Sequence, residues 1–70
     1  MIMEEKITAW IARDEDNYLG LYTSKPIKNE YGWQIDSQNA DFMILKNTLF
    51  PQVKWEDDEP TEVELTIKIK

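Results

Sequence analysis

The chain lacks cysteine and histidine, and it has only two glycines among its 70 residues. Without cysteine or histidine it can form neither a disulfide nor a conventional zinc site, which are the usual covalent and metal supports of small domains. Histidine is also the most frequent general acid or base of enzymes, and a phosphate-binding loop needs several glycines. These absences predict a protein that is not an enzyme, with no catalytic residue, no cofactor and no metal site.

Oxygen ligands for calcium are the remaining metal chemistry. Asp14 and Asp16 have the spacing that begins a calcium-binding loop, but Tyr18 and Leu19 stand where that loop needs another oxygen ligand and a glycine. The acidic residues within positions 57–62 lack a turn-forming glycine and lie beside a proline. Both groups are therefore interpreted as solvated turns.

The chain has no long apolar run and few basic residues. No stretch approaches the length of about 18 apolar residues that spans a membrane, and the amino terminus lacks the basic start and apolar run of a signal peptide. We therefore expect a cytoplasmic protein without membrane contact. The 14 acidic and 8 basic side chains give a net charge of −6, which argues against direct nucleic-acid binding because nucleic-acid-binding modules are basic.

A chain of this length forms one small domain, residues 1–70. Its core is thin, because a domain of this size buries only about 60–65% of its unfolded surface. Aromatic side chains supply much apolar area per residue. They are Trp10, Tyr18, Tyr22, Tyr31, Trp33, Phe42, Phe50 and Trp55. We expect Trp33 and Trp55 in the core, and Trp10 to face a groove or a partner.

Two alternating segments near the amino terminus predict a β-hairpin. Residues 6–13 and 18–23 both alternate with period two, which is typical of strands. Residues 14–17 between them are polar turn-formers. Pro26 ends the second strand, because proline cannot donate to a strand ladder.

The middle of the chain is less regular. Residues 31–35 are typical of a short aromatic strand, and residues 36–39 of a polar turn. The apolar run 42–45 has two interpretations. It is either a buried strand followed by one helical turn that Pro51 stops, which we favour, or the start of a helix capped by Asp41.

The last segment, residues 61–70, alternates apolar and polar side chains without exception, so we predict a strand with one dry and one wet face. The fold class is mainly β. We expect a single small antiparallel sheet or open barrel of four to five strands, with one short helical turn near residues 45–50. The natural neighbour of the last strand is the first one. If the last strand is instead an edge, it can pair with its own copy in a dimer.

Acidic residues are concentrated between positions 56 and 64, where no basic residue occurs. They are Glu56, Asp57, Asp58, Glu59, Glu62 and Glu64. One interpretation is a protein-binding face, completed by Trp10, that docks on a basic partner surface. The other is a charged turn followed by the wet face of a strand, which deters edge-to-edge aggregation.

The first interpretation predicts a non-catalytic protein-binding domain that acts as an accessory or inhibitor factor. The alternative function is a structural subunit that self-assembles as a homodimer through the carboxy-terminal strand. The two differ in what they need, because the first requires an unknown protein partner and the second only a copy of this chain.

Residues 49–65, with the sequence LFPQVKWEDDEPTEVEL, resemble a recurring stretch in short uncharacterised proteins of gut-associated bacteria and their prophages or mobile elements. The hairpin segments 11–14 and 19–22, followed by Lys25 and Pro26, are similar to the first half of the same proteins. Asn17 stands where those proteins often have glycine, a change that asparagine tolerates because it also adopts positive φ. The resemblance implies a small stand-alone domain, and it implies no activity, cofactor or catalytic residue.

Overall fold

The computed structural model of this protein describes residues 3–35 and 40–70. These residues form six strands: β1 Met3–Arg13, β2 Leu19–Tyr22, β3 Ile27–Asn29, β4 Gly32–Gln34, β5 Phe42–Leu45 and β6 Thr61–Ile69. Four of them make one antiparallel sheet in the order β5-β2-β1-β6, and β3 and β4 make a separate two-stranded sheet. The mainly-β prediction is confirmed, and the described strands form open sheets rather than a barrel.

The first hairpin joins β1 to β2, as predicted. Its loop is closed by a hydrogen bond of 2.8 Å from the Asp14 amide to the Tyr18 carbonyl and one of 3.0 Å from the Asn17 amide to the Asp14 carbonyl. Asn17 has a φ of 75°, in the left-handed region that asparagine enters more readily than most residues. The residue type at this position therefore matches the turn geometry.

The run 42–45 is a strand, and the helix alternative is wrong. The expectation that this strand is buried is also wrong, because β5 lies at the edge of the sheet and its first three side chains are exposed. β5 pairs with β2, with Leu45 opposite Leu19. In place of the expected helical turn there is a single reverse turn, in which the Leu49 amide donates to the Lys46 carbonyl over 3.1 Å. Two similar turns follow, closed by the amides of Val53 and Asp57.

A helix does not form after β5 because carbonyls of residues 47, 49 and 50 accept hydrogen bonds from the Arg13 side chain. In addition, Pro51 has no amide hydrogen to donate. Neither residues 3–35 nor residues 40–70 contain a helix long and apolar enough to cross a membrane.

The second hairpin was predicted only in part. β4 was expected, but β3 was not, and the two pair with Asn29 opposite Gly32. The Asn29 side chain closes the turn by accepting the Tyr31 amide at 2.8 Å. The predicted polar turn at 36–39 lies outside the described residues.

Both faces of the four-stranded sheet are covered near the first hairpin. On the first face, Ile11 and Leu19 are buried together with Val53, which belongs to the segment 46–60 between β5 and β6. On the second face, Ala12 and Tyr22 are buried under Trp33 of β4. This confirms the prediction that Trp33 belongs to the core.

The segment 46–60 touches both faces of the sheet. Val53 packs into the first-face cluster, whereas Trp55, two residues later, packs half-buried against the second-face cluster. The segment therefore passes around the edge of β1 between these residues. This is possible because β6 pairs with β1 only as far as Ile11, so Ala12 and Arg13 have no β6 partner.

Arg13 is the buried cation that holds this segment. Its side chain is only 6% exposed. It donates to carbonyl oxygens at distances of 2.7 to 3.2 Å, and the acceptors belong to Asn17, Asn47, Leu49, Phe50 and Val53. A guanidinium has five N–H donors, and here each one has a carbonyl acceptor.

One of these acceptors belongs to a residue with unusual backbone geometry. Phe50 has a φ of 48°, which is rare for a bulky residue and costs of order 1 kcal/mol or more. The Arg13 guanidinium forms no ion pair with a carboxylate among residues 3–35 and 40–70, where the ion pairs involve lysines only. Four carbonyl dipoles of the segment 46–60, together with that of Asn17 in the hairpin loop, therefore solvate this charge.

Lys28 of β3 holds the next part of the same segment. Its ammonium donates to the carbonyls of Trp55 and Asp57, the second at 3.0 Å. The same nitrogen lies 4.2 Å from the ring centroid of Trp55 and 5.8 Å from that of Trp33, within the range of cation–π attraction. Trp33 in turn donates its indole N–H to the Arg13 carbonyl over 2.9 Å. Arg13 and Lys28 thus fix consecutive parts of residues 46–60.

Replacing Arg13→Lys tests the role of the guanidinium. An ammonium keeps the charge but has three donors on a flexible stem, so it cannot reach all of the carbonyls. We expect the free energy of unfolding to fall by about 3 kcal/mol, the loss of two charge-assisted hydrogen bonds. Urea unfolding measures it, with Lys54→Met, which removes an exposed cation, as the control. A change within about 0.5 kcal/mol, typical of surface sites, would contradict this role.

Candidate protein-binding surface

The predicted acidic residues fall into two groups in the structure. Residues 56–59 begin within the Lys28-bound turn and continue toward β6, and we call them the acidic loop. Glu62 and Glu64 lie in β6, on the second face of the sheet, and we call them the strand acids. Pro60 separates the two groups.

The acidic loop presents most, but not all, of its carboxylates to solvent. Glu56 and Asp58 are exposed. The Glu59 side chain is 75% exposed and lies 3.4 Å from the Lys25 ammonium. Asp57 differs, because it is half-buried and its carboxylate accepts the Lys54 amide at 3.0 Å. Asp57 therefore shapes the turn, and its three neighbours are available for contact.

The backbone of this loop is anchored from beneath. Lys28 binds the carbonyls of Trp55 and Asp57, and the Asp57 amide donates to the Lys54 carbonyl over 3.1 Å. Lys28 therefore acts on backbone oxygens and on the Trp55 ring, whereas Lys25 is the cation that lies beside a loop carboxylate, that of Glu59. The loop keeps its negative charge while its backbone is held in place.

The strand acids lie beside Trp10. In the pairing of β1 with β6, Glu62 is directly opposite Trp10, and Glu64 is opposite Thr8. The Lys6 ammonium lies 3.9 Å from the Glu64 carboxylate. Trp10 is half-buried between Glu62 on one side and Tyr22 of β2 on the other. The structure thus brings Trp10 together with one predicted acid and leaves only part of its ring accessible.

A crevice extends the acidic loop toward the first hairpin. It has a volume of about 400 Å³, and Asp14, Glu15 and Glu56 contribute to its wall together with Lys54. Arg13 also lines it, but its N–H groups are all directed to carbonyls. The crevice wall therefore contains three acidic residues and one lysine besides Arg13.

Asp14 and Glu15 were missed by reasoning from the sequence, which interpreted them as a solvated turn. They are distant from Glu56 along the chain. Only the path of residues 46–60 past the hairpin brings these carboxylates to one crevice. Among the residues that the structure describes, no cluster of acidic side chains is arranged to hold a metal ion.

An aromatic crevice of about 270 Å³ lies on the second face of the sheet. The rings of Tyr22 and Phe42 are 5.1 Å apart at their centroids and tilted by 36°. A side chain at Gly20 would place its Cβ 2.7 Å from the Tyr22 hydroxyl and 2.8 Å from Phe42. Glycine is therefore required here so that the two rings can lie over the strand.

Gly32 keeps the second hairpin close to the first. Its φ of 136° is accessible mainly to glycine, and an added Cβ would lie 3.1 Å from an Asp14 carboxylate oxygen. The same oxygen accepts the Trp33 amide at 3.3 Å. Asp14 therefore serves both as a wall of the acidic crevice and as an anchor for β4.

Comparison with protein-family models, with curated proteins and with solved structures finds no match to this chain. The resemblance of residues 49–65 to short proteins of bacteria and prophages therefore stays a prediction. Since no residue role can be transferred from a relative, a functional assignment rests on the geometry of the described residues.

The pH dependence of stability tests the burial of Tyr22. Its burial, and secondly the Asp14 carboxylate, raise the pKa of the Tyr22 hydroxyl from 10.0 to about 12. The folded chain therefore holds this proton more tightly than the unfolded chain. The stabilisation is fully present below pH 10 and is lost as the pH rises to about 12.

We expect the unfolding free energy of the chain to fall relative to that of a Tyr22→Phe variant across that interval, because only the chain has this hydroxyl to ionise. Denaturant unfolding at a series of pH values measures it. Parallel stability profiles of the two proteins would show that Tyr22 is not buried in this way.

Proposed function

We propose that this chain is a non-catalytic protein-binding domain that docks its acidic loop and the adjoining crevice on a basic surface of another protein. The observation that carries the proposal is that the cation which holds the loop binds its backbone and leaves two of its carboxylates unpaired among the described residues. Lys28 fixes the backbone through two carbonyls, while the carboxylates of Glu56 and Asp58 remain exposed. The negative groups are therefore held in place before a partner arrives.

Such an arrangement favours binding for two physical reasons. Ordering a flexible loop on association costs free energy, and a loop already fixed in the free protein avoids much of that cost. Clustered charge of one sign also steers a partner of opposite charge and raises the association rate. The net charge of −6 acts in the same direction.

The acidic crevice suggests the kind of contact. Asp14, Glu15 and Glu56 can accept hydrogen bonds from a lysine or arginine side chain that enters from the partner. An arginine matches this chemistry best, because its planar guanidinium can bind two carboxylate oxygens at once. The proposal therefore predicts a partner whose contact surface is rich in arginine or lysine.

An accessory or inhibitory role in the cytoplasm completes the proposal. It is supported by the resemblance of residues 49–65 to short prophage and mobile-element proteins and by the lack of cysteine and histidine. The proposal includes no cofactor, no membrane contact and no direct nucleic-acid binding, because the acidic surface would repel phosphates.

Neutralising the exposed carboxylates of the acidic loop tests the proposal. The triple variant Glu56→Gln, Asp58→Asn and Glu59→Gln removes three charges and leaves Asp57, which shapes the turn, in place. The protein is immobilised and used for affinity capture from the native host. We expect the variant to lose at least about tenfold of partner recovery, because close charge pairs at interfaces contribute more than 1 kcal/mol each.

The matched control is Glu5→Gln, Glu30→Gln and Asp41→Asn, which removes the same charge from exposed positions elsewhere. This control should capture the partner as well as the unchanged chain does, and the captured partner should elute with salt. Equal recovery by the acidic-loop variant, or equal loss by the control, would rule out docking through this loop.

A further inference from the structure

The outer side of β6 is an unpaired sheet edge. β6 pairs with β1 on one side, and none of residues 3–35 and 40–70 forms a strand on its other side. It runs from Thr61 to Ile69 without proline or glycine. A long, regular edge presents a row of backbone donors and acceptors that can pair with another strand.

The charges along this edge change sign at its middle. On the second face of the sheet the strand presents, in order, Glu62, Glu64, Thr66 and Lys68. Lys70, directly after the strand ends, continues this alternation in the sequence. Two acids thus precede a neutral residue, and two bases follow it. Protection against aggregation alone does not require this order of charges. When a second copy of the strand runs in the opposite direction, however, its bases lie opposite the acids of the first copy.

We propose that β6 pairs antiparallel with β6 of a second copy of this chain, with the two-fold axis at Thr66. In this register Glu64 lies opposite Lys68 of the second copy, and Glu62 lies opposite Lys70. The symmetry repeats both pairs. Thr66 faces its own copy, where a charged residue would be repelled and where paired threonines are favourable.

The first face of the sheet agrees with the same register. There Leu65 lies opposite Ile67 of the second copy, and Val63 lies opposite Ile69. Ile67 is 52% exposed and Ile69 is 62% exposed in the single chain. Pairing places these exposed side chains beside apolar neighbours, and cross-strand apolar pairs of this kind stabilise sheets.

Other pairings of the same edge are less favourable. A slide by two residues keeps only half of the ion pairs, and a slide by one residue puts the apolar face of one copy beside the charged face of the other. A parallel pairing places Glu64 opposite Glu64 and Lys68 opposite Lys68. The charge order therefore selects one register and one orientation.

This dimer goes beyond the proposed docking function and is independent of it. It assigns the strand acids Glu62 and Glu64 to self-pairing and leaves the acidic loop free for a partner. The pairing is isologous, so it closes at two copies and does not continue into a fibre.

Single cysteine variants test the register, because the chain has no cysteine of its own. In Thr66→Cys the two introduced thiols face each other across the axis, within reach of a disulfide. In the matched control Thr61→Cys, on the same strand, they are separated by about 34 Å, ten residues at the strand rise. We expect mild oxidation at micromolar concentration to give covalent dimers of Thr66→Cys and not of Thr61→Cys. Equal cross-linking of the two variants would overturn the register.

Charge exchange tests the pairing itself by sedimentation. Glu62→Lys and Lys70→Glu each place like charges opposite each other at two symmetric positions, so each variant should dimerise about tenfold more weakly than the unchanged chain. An equimolar mixture of the two restores both opposite-charge pairs, so dimers should return. Glu62 faces Trp10 across the sheet, and neither Glu62 nor Lys70 forms an ion pair with any of residues 3–35 and 40–70, so this exchange disturbs none there.

Three results would overturn the proposal: an unchanged chain that sediments as a monomer at tens of micromolar, a mixture no more dimeric than its components, or growth into larger assemblies. Loss of partner capture by the acidic-loop variant bears only on the docking function, because that variant keeps Glu62 and Glu64.

Discussion

The hydrogen bonds from Arg13 to five carbonyl oxygens are the interaction on which the rest of the structure depends. They join the end of the first hairpin to residues 47–53 and cover the first face of the sheet. Val53, whose carbonyl is one of the five acceptors, contributes its side chain to the core. Because the same segment continues to Trp55 and the acidic loop, the position of the candidate binding surface follows from this buried cation.

Cation–carbonyl contacts take the place that disulfides or zinc have in many small domains. Arg13 and Lys28 together bind carbonyls of residues 47–57, and Lys28 adds attraction to two indole rings. Burying a charge is costly unless it is well hydrogen-bonded. The cost is offset here because one long segment brings several carbonyls to each cation. Arg13 is buried and Lys28 is half-buried, so the exposed surface is left to the other lysines and the more numerous acids.

Reasoning from the sequence succeeded where the period of the side chains decides the structure. The first hairpin and β6 alternate over several residues, and both were predicted as strands. The dry face expected of β6 is wrong at its carboxy-terminal end, where Ile67 and Ile69 are exposed. β3 was missed because Ile27–Asn29 is only three residues long and follows Pro26. The role of Arg13 could not be foreseen, since its acceptors lie between 4 and 40 residues away along the chain. Asp57 was assigned to the binding face with its neighbours, although its carboxylate instead caps a turn.

Hydrogen exchange at the amides of Leu49, Val53 and Asp57 tests most directly whether Arg13 and Lys28 make residues 46–60 a fixed layer. These amides close the three turns, at distances of 3.0 to 3.1 Å from their acceptors. If the layer is fixed, they exchange as slowly as amides of the central strands, because opening them requires breaking the Arg13 and Lys28 contacts. Exchange at the rate of an unfolded peptide would contradict the account.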